Sequence, residues 1–270
     1  MKTSLPEWQN KILPYLRERS YACLGIRDLT VLSYFFWNDD RINTEFWRIE
    51  CAFLCAFRTL GLLPGVLVVN QTTAEMMAFC RKFGIEVQVE PSITNGLPSM
   101  SIDCILRLHK RFATDNVLVI QNDGFPVNAG VEVFLGKYDY VGAPWPGHTR
   151  YLDFFPYPEY GVGNGGFSLR SKRICQTASD IFIRRFKHLP MNWFLTEDVF
   201  YCKTMRFLSK EVRESFVFPS REEALGFSME CEVPSVGLPK VPPVGFHSQG
   251  GFSQYCAHYE IPLKELFDEI

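Results

Sequence analysis

The sequence predicts an α/β fold: a mainly parallel sheet covered on both faces by helices. Three observations carry that prediction. Strand and helix signals alternate through the first half of the chain. Two of the strand candidates are apolar along their length, as strands buried on both faces are. The helix candidates between them carry apolar residues three and four apart. A chain of 270 residues is long enough for one large α/β domain.

The elements follow in order. "LTVLSYFFW" (29–37) reads as a buried strand that ends in Asn38, Asp39 and Asp40. A helix follows with Phe46, Ile49, Phe53, Phe57 and Leu60 on one face, Asn43 as its N-cap and Gly61 as its stop. "GVLVVN" (65–70) is the second strand. Thr72 and Glu75 have the spacing of a capping box, opening a helix that Gly84 ends after Phe83. "IEVQVE" (85–90) is the third strand, Ser99 to Phe112 a helix, and "NVLVIQ" (116–121) the fourth strand. Ligands of such sheets bind beyond the carboxyl ends of the strands, which points to Asn38 and Asp39 and to "QNDGF" (121–125). Further on, "YDYVGAPWP" (138–146) is a strand running into a proline turn, and "RYLDFFPYPEY" (150–160) is an aromatic, proline-punctuated loop. Helices are predicted from Ser171 to Phe186 and from "TEDVFYCKTMRFL" (196–208). Without a repeat or low-complexity linker, the chain divides into a helical extension (1–27), one continuous domain (28–250) and a tail (251–270).

Composition narrows the function classes. Hydrophobic residues make up 47% and charged residues 21%, as in globular proteins. The 24 Phe, 11 Tyr and 5 Trp are enough rings to fill a core and to line a cleft. A net charge of −2 gives no basic stripe for nucleic acid. The nine cysteines are scattered without C-x-x-C, which reads as buried thiols in a reducing compartment. The first twenty residues lack a signal-peptide core, and no apolar run reaches the ~18 residues that span a bilayer. A cytoplasmic protein is the expectation, with peripheral membrane association open. No G-x-S-x-G elbow and no zinc-ligand spacing is present.

"YGVGNGGFSLRS" (160–171) holds the densest glycines, and Gly161, Gly163 and Gly166 match G-x-G-x-x-G. That fingerprint works between a strand and a helix. Here it is preceded by "FFPYPEY" and followed by a strand, so it is not a dinucleotide loop. Glycines let a backbone approach a bulky polar ligand, and Asn164 adds an amide that both donates and accepts. A tight turn with positive φ is the plainer alternative.

The segments "VLVIQNDGF", "YDYVGAPWP", "VGNGGFSLRS", "TEDVFYC", "ALGFSME" and "VGFHS" occur in this order over roughly residues 28–250. Together they resemble a glycosyltransferase-like family, long catalogued as a domain of unknown function and linked to surface-polysaccharide synthesis. The layout is also similar to nucleotide-sugar glycosyltransferases of the GT-A type. The resemblance implies a single Rossmann-like domain whose carboxyl half forms the acceptor side. It implies a UDP-type nucleotide-sugar donor and a glycan or lipid-linked glycan acceptor. Asp123 falls on the metal-binding acid of the Asp-x-Asp motif and His247 on a late histidine, together holding Mn²⁺ or Mg²⁺ against the diphosphate. Gln121 stands where the first acid of that motif would be. Glu197 and Asp198 fall on the catalytic pair, with Asp198 as the base of an inverting transfer; helix N-terminal acids behind a Thr196 cap are the plainer reading. Asn38 and Asp39 would meet the base or ribose, and Gln121, Asn122, Asn164, Gly165 and Gly166 would line the donor and acceptor cleft. Trp145 would stack on a sugar or plug the core, and Arg170 would bind diphosphate or form a strand-edge salt bridge. The 150–160 loop would cover the acceptor side. Two other classes compete. One is a non-catalytic module binding a glycan or nucleotide sugar. The other, a nucleotidyltransferase, expects a basic glycine loop where the acidic, glycine-free "WNDDRIN" (37–43) stands.

Overall fold

The computed structural model describes residues 3–23, 26, 28–36, 41–93, 96–145, 161–186, 196–231 and 236–261. Strands β1 (Leu29–Phe35), β2 (Gly65–Val69), β3 (Ile85–Val89) and β4 (Asn116–Ile120) lie parallel in the order β3-β2-β1-β4. They alternate with α2 (Arg41–Leu60), α3 (Ala74–Phe83) and α4 (Leu97–Arg111). β1, β2 and β4 are buried at every residue, which explains their predominantly apolar sequence, with Thr30, Ser33 and Asn116 as buried polar exceptions, whereas edge strand β3 is partly exposed. Beyond β4 the sheet continues through β7 (Ser168–Ser171) to β6 (Tyr140–Gly142). β7 is antiparallel to both neighbours, so it alone opposes the other five strands.

Alternation along the strands divides the core between the two faces. Val31, Leu67, Val69, Leu118 and Ile120 face a cluster built from α2, α3 and the carboxyl-terminal helices. Leu32, Val66, Val68, Val117 and Val119 face a second cluster under α4 and α5 (Lys172–Phe186). The aromatic excess goes largely into these clusters; Phe79 and Phe83, for example, lie 5.0 Å apart between ring centres.

Several local expectations shift. Thr73, not Thr72, caps α3 by accepting the Met76 N–H, and Gly84 ends the helix with φ of 65°. The position opposite the cap is then Met76, so the reciprocal arm of a capping box is missing. α4 begins at Leu97, two residues earlier than predicted, with Pro98 in its first turn. The 138–146 strand is confined to β6, followed by a bridge between Pro144 and Val162. The 1–27 segment contributes α1 (Leu5–Glu18), whose Leu5, Trp8, Ile12, Leu13 and Leu16 are buried in the α2-side core, so it is no appendage. The boundary set at 250/251 falls inside α10 (Ser248–His258), where Phe252 and Tyr255 are buried in the same core.

A second sheet, too short to be visible in the sequence, carries β5 (Gly124–Pro126), β9 (Gly245–His247) and β8 (Ser228–Met229), in that order. Between β7 and this sheet lie α6 (Glu197–Val199), a π-helical turn at Phe200–Thr204, α7 (Met205–Leu208), α8 (Lys210–Ser215) and α9 (Arg221–Phe227). Six cysteines are buried and unbridged; Cys23 and Cys256 are exposed and Cys231 is intermediate. Among the described residues, no helix is long and apolar enough to cross a membrane.

Candidate functional site

The site starts where β4 ends. Gln121 and Gly124 exchange backbone hydrogen bonds of 2.8 and 3.2 Å, a tight turn that places Asn122 and Asp123 at its tip. The backbone of this turn is anchored from behind. Gln9 of α1, fully buried, donates to the Asn122 carbonyl at 2.7 Å, and Ser248 N–H donates to the Asp123 carbonyl at 2.7 Å. The Asp123 carboxylate remains one-third exposed.

The small sheet then gathers the partners. Pairing of Gly124 with His247 sets the imidazole beside the turn, with Nε2 at 3.7 Å from Asp123 Oδ1 and 3.4 Å from Gln121 Oε1. β8 ends at Met229, so Glu230 emerges next to β9 and meets His247 Nδ1 at 3.1 Å. Asn164 donates to the same Glu230 oxygen at 2.8 Å and accepts the Gly166 N–H at 2.9 Å. Its amide is thereby spent within the protein, and Asn164 braces the site.

The glycine turn runs between two clusters of polar side chains. A Cβ on Gly166 would overlap His247 Nε2 and lie 2.8 Å from Gln121 Oε1. On the other side, a Cβ on Gly165 would overlap Glu197 Oε1 and lie 3.2 Å from the Asp198 Cβ. The glycines therefore serve close approach, here to the protein's own functional side chains. Gly163, at φ of 151°, adds the positive-φ turn.

The acid pair divides into unlike halves. Glu197 is buried, with Arg170 on Oε1 at 3.2 Å and the Ser101 hydroxyl on Oε2 at 3.3 Å. Asp198 is half-buried, and its Oδ1 accepts from the Thr196 hydroxyl and from Val199 N–H at 2.7 Å. Its Oδ2 has no hydrogen-bond partner among the described residues. Thr196 stands at the N-cap, its carbonyl accepting the Phe200 N–H at 3.0 Å, and both acids lie in the first helical turn as the plainer reading has it, although the Thr196 side chain makes no cap hydrogen bond. Desolvation, then the adjacent Glu197 charge, push the Asp198 carboxyl up to about 7 against the hydrogen bonds from Thr196 and Val199 and the Arg170 charge. Burial alone would lower the His247 imidazole, but the Glu230 hydrogen bond and the charges of Asp123, Glu230 and Asp198 outweigh it and hold it above its ordinary value.

Two predicted ligand contacts are corrected by burial. Arg170 is completely enclosed and pairs with Glu197, so it offers nothing to a diphosphate. Trp145 is 8% exposed, with Lys203 over its ring and its edge against Gly163, the core-plug alternative. Asn38, Asp39 and the 150–160 loop lie outside the described residues. Glu230 was given no role by the sequence, although it lies in the quoted "ALGFSME"; an acid following a short strand was its only signal. Gln9 gave none beyond a polar residue on an apolar helix face.

Among the described residues, no three His, Cys, Asp or Glu side chains are grouped to hold a metal. The donors that are present still fit a hard cation in one specific way. Glu230 takes the His247 Nδ1 side, leaving Nε2 facing the Asp123 carboxylate. One carboxylate and one imidazole make a partial site of the kind that substrate phosphate oxygens complete.

No curated protein matches the chain. Among solved structures, it is similar to the mannosyltransferase Ktr4p from S. cerevisiae, at 9% identity over 65% of this chain and 70% of that one, with a TM-score of 0.40. It is similar to the glycosyltransferase GlyE of Streptococcus pneumoniae TIGR4, at 14% identity and a TM-score of 0.43, over 68% of this chain and 44% of that one. It is also similar to glucosyl-3-phosphoglycerate synthase from Mycobacterium tuberculosis, in complex with Mn²⁺, UDP and glucosyl-3-phosphoglycerate, at 14% identity over 65% and 70%, with a TM-score of 0.38. Scores this low leave the residue roles to rest on the chain's own geometry. A family model described as "Protein of unknown function (DUF5672)" matches residues 104–247, more than half of the chain, from the carboxyl half of α4 through Asp123, the glycine turn, the acid pair and Glu230 to His247, and the chain belongs to that family.

Proposed function

We propose that the protein transfers a sugar from a nucleotide-sugar donor, of UDP type, to a hydroxyl of a glycan or lipid-linked glycan acceptor by single displacement with inversion. One observation carries the reading: Asp198 is a half-buried carboxylate with one oxygen unbonded among the described residues and a proton affinity near neutrality, one glycine turn away from the Asp123–His247 pair. A base poised near the working pH is what deprotonation of a sugar hydroxyl calls for. In the transfer, the acceptor oxygen bonds to the anomeric carbon as its proton passes to Asp198. The bond from that carbon to the diphosphate oxygen breaks, and the nucleoside diphosphate leaves with the electron pair. Asp123 and His247 would hold Mn²⁺ or Mg²⁺ jointly with the diphosphate; when bound, the cation offsets the leaving group's charge. Glu230 and Asn164 orient the imidazole, and the Gln9 and Ser248 contacts fix the turn that presents Asp123.

A non-catalytic module that binds a glycan or nucleotide sugar is the second reading, favoured by Gln121 standing where a second acid would strengthen the cation site. Thermal melts against nucleotides and nucleotide sugars, each with Mn²⁺, Mg²⁺ or chelator, test both. Stabilisation by one nucleotide only with metal, of about 2.7 kcal/mol at a hundredfold excess over Kd, and its loss in Asp123→Asn support the donor site. Donor turnover that vanishes in Asp198→Ala supports transfer. Binding with no turnover supports the module, and no response to any nucleotide sinks the transfer reading.

A further inference from the structure

The largest wholly buried side chain is the arginine that the sequence aimed at a ligand. Arg170 lies between two tyrosine rings, its guanidinium carbon 5.0 Å from the Tyr140 centroid and 4.8 Å from that of Tyr201. Its donors are spent on four acceptors: Nε on Ser168 Oγ at 3.0 Å, Nη1 on Cys104 Sγ at 3.1 Å, and Nη2 on the Gly165 carbonyl at 3.3 Å and Glu197 Oε1 at 3.2 Å. The cage walls are fixed in turn, Tyr201 to the Cys104 carbonyl and Tyr140 to the Gly163 carbonyl. A buried cation of this cost persists where its partner is held with it. Among the described residues the one charged partner at hydrogen-bond distance is Glu197, whose other oxygen accepts from Ser101 of α4.

We infer that Arg170 is a positioning residue that divides the Glu197–Asp198 pair: from a sealed cage it holds Glu197 in an ion pair and ties it to the glycine turn, leaving the half-buried Asp198 as the carboxylate of the two that exchanges a proton. Donors on both Glu197 oxygens suit the ionised form, which only accepts hydrogen bonds. A fixed negative charge one residue away then disfavours a second one on Asp198, in the direction its proton affinity takes. The charges that bear on Asp198 are those of Glu197 beside it and Arg170 from β7; its own charge in turn bears on His247 from β9 and on the neutral Cys202 thiol of the π turn and Tyr140 phenol of β6. Burial raises the Asp198 carboxyl first, and the Glu197 charge held beside it by Arg170 adds to that rise. What the proton is for rests on the sugar-transfer reading; the division of the pair does not.

The test needs no substrate. The 270-residue chain, labelled with ¹³C at the Asp and Glu carboxyls, is titrated by NMR, with Asp198 and Glu197 assigned by the signals missing in Asp198→Asn and Glu197→Gln. Asp198 is expected to step near neutral pH with no matching step at Glu197. Glu197→Gln, which keeps the shape, is expected to lower the Asp198 midpoint by about one unit or more. Arg170→Lys, which keeps the charge but loses the planar fork, is expected to make both carboxyls follow one shared step. An Asp198 midpoint unmoved by Glu197→Gln, or a wild type in which both carboxyls step together, overturns the inference. If Arg170→Lys does not fold, Glu197→Gln decides alone. Donor turnover is scored separately: a divided pair in a protein that turns over no donor removes the sugar-transfer reading and leaves the Arg170 assignment standing.

Discussion

At the scale of single residues, Asp198 makes opposite demands on activity and stability. Transfer needs its carboxylate, so the rate is expected to rise with pH through about 7 and then level off, and Asp198→Asn is expected to lower kcat by about 10²–10⁴-fold. Stability runs the other way. A carboxyl whose proton affinity is raised on folding stabilises the fold fully only below its unfolded value, and that contribution is lost as pH rises towards about 7. Asp198→Asn removes the loss, so its melting temperature should gain on wild type between pH 5 and pH 8; parallel melting curves would show Asp198 is not raised. Gly166 offers a second test at this scale. Its missing Cβ makes room for His247 Nε2, so Gly166→Ala is expected to cost about 1–3 kcal/mol and to abolish any metal-dependent nucleotide shift. A variant that keeps both would show that the glycine serves the turn alone. Neither crowding was legible in the sequence, where "GNGG" showed a need for bare backbone but not what approaches it.

Elements explain why the parts of the site were legible and their assembly was not. β1, β2 and β4 announce themselves because burial on both faces leaves a largely apolar run, and the helices between them show their inner faces by spacing. β5, β8 and β9 are two or three residues long and pair across gaps such as Gly124 to His247. No local periodicity survives at that length, so Asp123 and His247 were placed by motif order, and Glu230 went without a role until β8 set it beside the imidazole. The same scale reveals a dependence outside the family-matched segment. Gln9 of α1 accepts from Arg48 Nε of α2 at 3.2 Å and donates to the Asn122 carbonyl, clamping the turn that bears Asp123. Gln9→Leu would leave a half-buried carbonyl and a guanidinium each short of a partner, about 1–3 kcal/mol. The expected result is a lower melting point together with a weaker response to Mn²⁺ plus nucleotide. A loss of stability with the response intact would make Gln9 purely structural.

For the whole molecule, the question is whether the matched segment and its sheet stand without the first helix. Leu5, Trp8, Ile12, Leu13 and Leu16 are all buried in the α2-side core, which reaches from α1 through β1, β2 and β4 to Phe252 of α10. At about 1.5–3 kcal/mol for each large apolar side chain buried, these five contribute on the order of 10 kcal/mol, comparable with the 5–15 kcal/mol by which whole domains are stable. The strands serve both cores at once, Val31 facing one and Leu32 the other, so loosening one face removes support from the other. The 270-residue chain is therefore expected to melt in one calorimetric transition, and Phe57→Ala on one face and Leu108→Ala on the other should each lower that same transition. Deletion of residues 1–18 is expected to give a chain with no cooperative melt. A truncated protein that melts cooperatively within a few degrees of the full chain would restore the helical-extension reading of the amino terminus. It would also release Gln9 from the site, because the Asn122 carbonyl would then hold its turn without α1.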